Sequence, residues 1–179
     1  MILFKKIWNK FLRWAFNKKE QKPLVLSKGN KMRIIKPKFI ILHHSLTKDG
    51  KTVSANAIRK YHTEVMGWDD VGYNSISELV NDEYEILIGR MLNEQGAHCR
   101  GHNHNTYGHC IVGNYDKDEI SPELWMLNLK WIRSLCDVFD IPEENVLGHR
   151  EFDSSKTCPG EKFNLKGFRL ELKVLKTTQ

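Results

Sequence analysis

The spacing of apolar residues predicts alternating strands and helices from Phe39 to the end of the chain. The first strand is a continuous apolar run, which is typical of a strand buried on both faces. Between the second and third strands the Asn81-Asp82 pair is a turn signal. Strands are predicted at 39–42, 73–80, 84–89, 107–112 and 145–147.

Three segments of the same region have helical spacing, at 53–65, 122–139 and 165–174. The first has Ser54 as its N-cap. Its predicted inner face consists of Ala57, Ile58, Tyr61 and Val65. The second begins with Ser121-Pro122-Glu123, which combines a cap, a proline at the first position and an acid in the first turn. The prediction is an α/β domain with a central mixed β-sheet flanked by helices and a site in a surface cleft.

The N-terminal region has a different pattern. Residues 1–19 predict an amphipathic basic helix with Trp and Phe on one face and Lys on others. Such a helix lies in a membrane interface or packs its apolar face on the domain, and the pattern is compatible with both. Residues 20–38 contain Pro, Gly and many Lys and predict a linker. The expected division is therefore 1–38 for helix and linker and 39–179 for the domain.

Charge supports this division. Residues 1–38 contain twelve Lys or Arg and one acid, whereas residues 39–179 contain sixteen Lys or Arg and twenty-one acids. A nucleic-acid-binding domain would have its basic residues within the folded part, so we expect no nucleic-acid partner. The basic arm instead favours contact with an anionic surface, such as a membrane meeting residues 1–19.

Cysteine usage and hydropathy exclude further classes. Four cysteines, at 99, 110, 136 and 158, have no spacing typical of a small disulfide-rich fold. No apolar run approaches the ~20 residues of a membrane span, and no secretory signal is evident. The expectation is a monomer made in the cytoplasm.

Three residues with metal-binding chemistry stand at structurally informative positions. His43 directly follows the buried first strand, where α/β domains commonly present catalytic groups. His149 and Cys158 bracket a polar loop. Each alone is compatible with a structural role, but two imidazoles and a thiolate suit one zinc ion and leave its fourth position open to water.

Several short motifs, in order, resemble the zinc amidase family shared by small phage lytic amidases and animal peptidoglycan-recognition proteins. The matching pieces are Ile41 to Ser45, Trp68 to Asn74, Gly89-Arg90, Gly96 to His98, Asn103 to Gly108, Cys110 to Gly113, Gly148-His149 and Lys156 to Pro159. The resemblance covers roughly residues 39–170. It implies cleavage of the amide bond between N-acetylmuramic acid and L-alanine in bacterial peptidoglycan.

The resemblance also implies roles for individual residues. The ligands of one Zn²⁺ would be His43, His149 and Cys158. Tyr73 and Lys156 match the two other catalytic positions and would assist attack by a zinc-bound water on the carbonyl carbon. Contacts to substrate would come from His98, Asn105, Arg90 and His44, although strand alternation points His44 away from His43.

Three functions fit the resemblance. The first is a phage or prophage endolysin that acts at the cell wall or periplasm. The second is a non-catalytic peptidoglycan-recognition module, and the presence of the whole ligand set disfavours it. The third is an amidase that recycles soluble wall fragments, but residues 108–114 lack the glutamate that some recycling amidases carry. A second metal site in the histidine-rich loop at 92–106 is disfavoured, because its spacing matches no common zinc pattern.

Overall fold

The computed structural model describes residues 32–47 and 55–177. The predicted helix at 1–19 and the predicted cap Ser54 therefore lie outside the described residues. The end of the predicted linker is described, and it is hydrogen-bonded to the domain: the N–H of Ile35 donates to the Asn93 carbonyl and that of Gln95 to the Arg33 carbonyl, each at 2.8 Å.

Five strands form one sheet. They are β1 (Phe39–His44), β2 (Ser75–Val80), β3 (Glu83–Ile88), β4 (Thr106–Ile111) and β5 (Val146–Gly148). Their order is β3-β2-β4-β1-β5, with β2 and β3 antiparallel and every other neighbouring pair parallel. Asn81 and Asp82 both have positive φ, at 50° and 66°, as a two-residue hairpin turn with the right-handed strand twist requires. The predicted mixed sheet is confirmed.

In the described ranges three α-helices accompany the sheet: α1 (Ala55–Lys60), α2 (Pro122–Phe139) and α3 (Leu165–Thr177). The start of α2 is as predicted, since the Ser121 hydroxyl accepts the N–H of Leu124 at 3.2 Å. The helix ends at Phe139, and the next residue, Asp140, caps it with a φ of 55°, in the left-handed region. None of the helices in the described ranges has the length and apolarity needed to cross a membrane.

The two faces of the sheet have different partners. Ile40 and Leu42 of β1 belong, with Tyr107 of β4, to the large core cluster that includes α2 and α3. Residues on the opposite face, among them Ile76 and Cys110, pack with Ile58 of α1 in a smaller cluster. Because side chains alternate along a strand, His43 belongs to this second, less crowded face.

The helix predicted at 53–65 changes type halfway. Residues Tyr61–Val65 form a π-helical turn after α1. Tyr61 and Val65 are 55% and 68% exposed and Ala57 is exposed as well, so of the predicted inner face only Ile58 is buried. A π turn holds more residues than an α turn, which rotates the following side chains and brings His62 inward instead.

Candidate metal centre

Parallel pairing of β1 and β5 brings two of the predicted ligands together. Leu42 is the register partner of Gly148, so the residues that follow them, His43 within β1 and His149 directly after β5, lie side by side. Their ring centroids are 4.7 Å apart. His43 is buried at 2% exposure, and His149 is half-buried at the mouth of the site.

The loop after His149 returns to place Cys158 beside them. The N–H of Arg150 donates to the Cys158 carbonyl at 3.1 Å. The guanidinium of Arg150 donates to the Gly160 carbonyl at 2.5 Å, and the Thr157 hydroxyl donates to Asp116 at 2.9 Å. These bonds fix both ends of the loop, so the thiol faces the two imidazoles.

The three side chains fit a single transition-metal ion. One potential ligand atom from each of His43, His149 and Cys158 lies within 4.8 Å of the other two. Burial lowers the pKa of both histidines, which keeps a nitrogen lone pair available. Burial raises the pKa of the Cys158 thiol, and a bound cation would oppose that by stabilising the thiolate. Two nitrogens and one sulfur are a donor set that zinc prefers.

Comparison with known proteins assigns the family. Residues 33–161 match the family model of N-acetylmuramoyl-L-alanine amidase. The chain belongs to the N-acetylmuramoyl-L-alanine amidase family. It is 33% identical over 130 residues to the endolysin of Escherichia phage T7, covering 71% of this chain and 82% of that protein. It is 26% identical over 128 residues to peptidoglycan-recognition protein SC1a of Drosophila melanogaster, covering 68% and 67% of the two chains.

A solved structure agrees on the fold. The N-acetylmuramoyl-L-alanine amidase LysC from Clostridium intestinale URNW superposes with a TM-score of 0.69 at 21% identity, covering 81% of this chain and 94% of that one. The amidase fold is therefore shared at low sequence identity. The predicted fold class and the predicted family are both confirmed.

Tyr73 lies beside the cluster of His43, His149 and Cys158. Its ring centroid is 5.1 Å from that of His43. Its side chain packs against the small cluster that contains Cys110 of β4. Burial raises the pKa of Tyr73 well above the usual value, so the phenol is protonated at neutral pH and can donate a hydrogen bond.

Lys156 lies in the loop between His149 and Cys158. Its N–H donates to the Asp153 carbonyl at 3.0 Å, and its side chain is exposed at the edge of the cluster. The pKa of His149 is lowered mainly by burial, and the Lys156 charge contributes in the same direction. The ammonium group is therefore close enough to influence the site electrostatically.

His98 reaches the cluster from the loop before β4. Its Nδ1 lies 3.1 Å from Nε2 of His43, and the ring is 9% exposed. Burial lowers the pKa of His98 to about 3, so its imidazole is neutral. His98 thus lies near the site, as predicted, but little of its surface is accessible to a substrate.

The other predicted substrate contacts have structural partners. Arg90 donates through Nε to the Val71 carbonyl at 2.7 Å and through Nη1 to the Glu94 carboxylate at 3.2 Å. The main-chain carbonyl of Asn105 accepts the N–H of Lys38 at 2.8 Å. These bonds account for how the two residues hold the loops around the site, and a direct substrate contact by either stays a prediction.

His44 lies on the opposite face of the sheet from His43. Its side chain is fully buried, its Nδ1 accepts the N–H of Tyr115 at 3.2 Å, and its Nε2 is 3.9 Å from Asp116. A ring enclosed on the helix-covered face has no route to a substrate in the cleft. We therefore do not propose His44 as a substrate contact.

His62, near Tyr73, was not predicted as part of the site. It stacks on Trp68 with ring centroids 4.6 Å apart, and its Nδ1 accepts the N–H of Gly72 at 3.1 Å. Its ring centroid is 5.7 Å from that of Tyr73. The π turn that redirects His62 has no signal in the apolar spacing, so sequence reasoning could not find it.

Proposed function

We propose that this chain is a zinc-dependent amidase of the endolysin type, which cleaves the bond between N-acetylmuramic acid and L-alanine in peptidoglycan. The observation that carries the proposal is the convergence of His43, His149 and Cys158. The relative from phage T7 is an endolysin, and the relatives from Sus scrofa and Homo sapiens are named N-acetylmuramoyl-L-alanine amidases.

One zinc ion would be held by His43, His149 and Cys158. When bound, zinc lowers the pKa of a water molecule and polarises a carbonyl group. With three protein ligands the arrangement has the form of a catalytic site, because a closed structural site uses four. The burial of His43 limits competition by bulk water for that ligand.

Tyr73 and Lys156 would supply hydrogen bonds and charge to the reacting amide. The protonated phenol of Tyr73 donates to the attacking water or to the departing nitrogen. The Lys156 ammonium stabilises negative charge as it develops on the carbonyl oxygen.

The proposed function also predicts where the protein acts. The substrate is in the cell wall, and the basic residues of the N-terminal region would favour approach to anionic envelope lipids. Cleavage of intact sacculi, as opposed to soluble fragments alone, is the expectation for an endolysin.

Mass analysis of digested sacculi tests the proposal directly, because the products identify the bond that is cut. Chelation and Cys158→Ala should each abolish cleavage, and zinc content should fall from about one per chain to near zero. Cys136→Ala is the matched control, since Cys136 is buried in α2 and lies outside the cluster. Zinc bound at one per chain without cleavage of any muropeptide would instead favour a recognition module.

A further inference from the structure

The ring of His98 is held in a slot that two glycines create. A Cβ built on Gly108 would lie 2.4 Å from Cδ2 of His98, and one on Gly96 would lie 2.6 Å from the same atom. Both distances are below any normal carbon–carbon contact, so only glycine permits the ring to lie there. The N–H of His98 is also fixed, because it donates to Oδ1 of Asn103 at 2.9 Å.

Hydrogen-bond donors and acceptors along this slot determine where the protons lie. The Thr106 hydroxyl donates its proton to the His102 carbonyl at 2.8 Å. Its oxygen can then only accept from Nε2 of His98, which is 3.4 Å away. A neutral His98 with a proton on Nε2 has a lone pair on Nδ1. That lone pair faces Nε2 of His43 at 3.1 Å.

We infer that His98 is a positioning residue that fixes the tautomer and ring orientation of His43. The Nε2–H of His43 donates to Nδ1 of His98, which leaves Nδ1 of His43 unprotonated as the metal-binding atom. The inference rests on the proposed function only in taking His43 as a metal ligand. It replaces the predicted substrate contact of His98 with a structural role toward the ligand.

The enclosure of His98 supports this role over a substrate contact. Both of its ring nitrogens already face protein atoms, and its surface is 9% exposed. His98 also lies outside the group formed by His43, His149 and Cys158, although its Nδ1 is close to His43. The His98 ring therefore supports the proposed ligand His43 without being a ligand itself. Residues with this relation to a metal-binding histidine typically change metal affinity by about 10- to 100-fold when they are replaced.

Zinc affinity, measured by competition with a chromophoric chelator, tests the inference. His98→Phe keeps a flat ring but has no acceptor, and it should weaken zinc binding by about 10- to 100-fold. His98→Asn should restore most of that affinity, because its Oδ1 is attached like Nδ1 of histidine. His104→Phe, in the exposed part of the same loop, is the control and should bind zinc as the original protein does. Equal zinc affinity in His98→Phe and the original protein would overturn the inference.

Long-range ¹H–¹⁵N spectra of the histidine rings give an independent readout in the unmutated protein. They should show His43 and His98 both protonated at Nε2. A proton on Nδ1 of His98 would overturn the inference even if His98→Phe failed to fold. Failure of the proposed metal site is distinguishable, since the original protein would then bind zinc no better than Cys158→Ala.

Discussion

His109 lies in β4 on the face opposite the cluster of His43, His149 and Cys158. Both of its ring nitrogens are hydrogen-bonded, in an arrangement that requires one ring proton and not two. The Trp131 indole N–H donates to Oγ of Ser75 at 3.0 Å, so the Ser75 proton is free to donate to Nδ1 of His109 at 2.7 Å. Nε2 of His109 donates to Oδ1 of Asn128 at 2.5 Å. The amide nitrogen of Asn128 is committed to the Leu124 carbonyl at 2.7 Å, which fixes the orientation of that amide.

The free energy of unfolding should therefore depend on pH through this residue. Burial lowers the pKa of His109 from 6.5 to about 4. Between these two values the unfolded chain binds the proton and the folded chain does not, so stability falls as the pH falls. At about 1.4 kcal/mol per pKa unit, the full loss is about 3 kcal/mol below pH 4. Between pH 7 and pH 5 the same two pKa values give a loss of about 2 kcal/mol.

Urea denaturation of His109→Gln at pH 7 and pH 5 measures this contribution. The amide nitrogen of glutamine can keep the bond to Asn128, but the side chain does not titrate. The variant is expected to lose about 2 kcal/mol less than the original protein over this pH interval. Both proteins are measured with chelator present, so that zinc release does not contribute. An equal loss in the two proteins would refute the assignment of His109 as a buried neutral histidine.

Three further predictions concern other parts of the chain. Glu143→Gln should lower the free energy of unfolding in urea by about 3 kcal/mol, because the buried guanidinium of Arg133 loses a carboxylate partner. Gly108→Ala should cost about 1–3 kcal/mol in thermal unfolding and weaken zinc binding in a chelator competition, since its Cβ would displace His98. Deletion of residues 1–19 should abolish binding to anionic vesicles in a sedimentation assay while cleavage of soluble muropeptide continues.

Control variants distinguish the predicted effects from general effects of a substitution or deletion. Glu64→Gln removes an exposed ion pair with Lys60 and should change stability by less than about 1 kcal/mol. A change as large as that of Glu143→Gln would contradict the role given to burial. Gly67→Ala strains the backbone, because Gly67 has positive φ, but the added Cβ meets open space, so this variant should leave zinc affinity unchanged. A strong drop in melting temperature after deletion of 1–19 would place that segment in the core.

Much of the fold was predictable because the local signals agree with the tertiary structure. The apolar run of β1, the Asn81-Asp82 turn and the Ser121 cap each predict an element within one or two residues of its position. The candidate metal ligands were predictable as chemistry, since His43 follows a strand and His149 and Cys158 bracket a loop. Their convergence was not, because it depends on the parallel pairing of β1 with β5, in which Leu42 and Gly148 are register partners 106 positions apart in the chain, and no local pattern encodes that pairing.

The predictions that failed or changed depend on geometry within a few ångströms. The predicted inner face of the helix at 53–65 was wrong at Tyr61 and Val65, where a π turn changes the direction of the side chains, and at Ala57, which is exposed before that turn. His98 was expected to face substrate, and its enclosure follows from the missing side chains of Gly96 and Gly108, which come from two separate segments. The sequence does not show which side chain a glycine will lie against, so neither contact could be inferred without knowing how the loop packs on the sheet.

His109 of β4 and His43 of β1 have different roles because their side chains lie on opposite faces of the sheet. His109 faces the helices, and its two ring nitrogens are satisfied by Ser75 and Asn128, so it can only stabilise the core. His43 lies on the other face, where one ring nitrogen is hydrogen-bonded to His98 and the ring is beside that of His149. His44 is also buried with one bonded and one unbonded ring nitrogen, but it belongs to no group of potential metal ligands among the described residues. A ring nitrogen free of protein hydrogen bonds, together with neighbouring ligands and not burial alone, therefore distinguishes the proposed ligand His43 from the core residue His109.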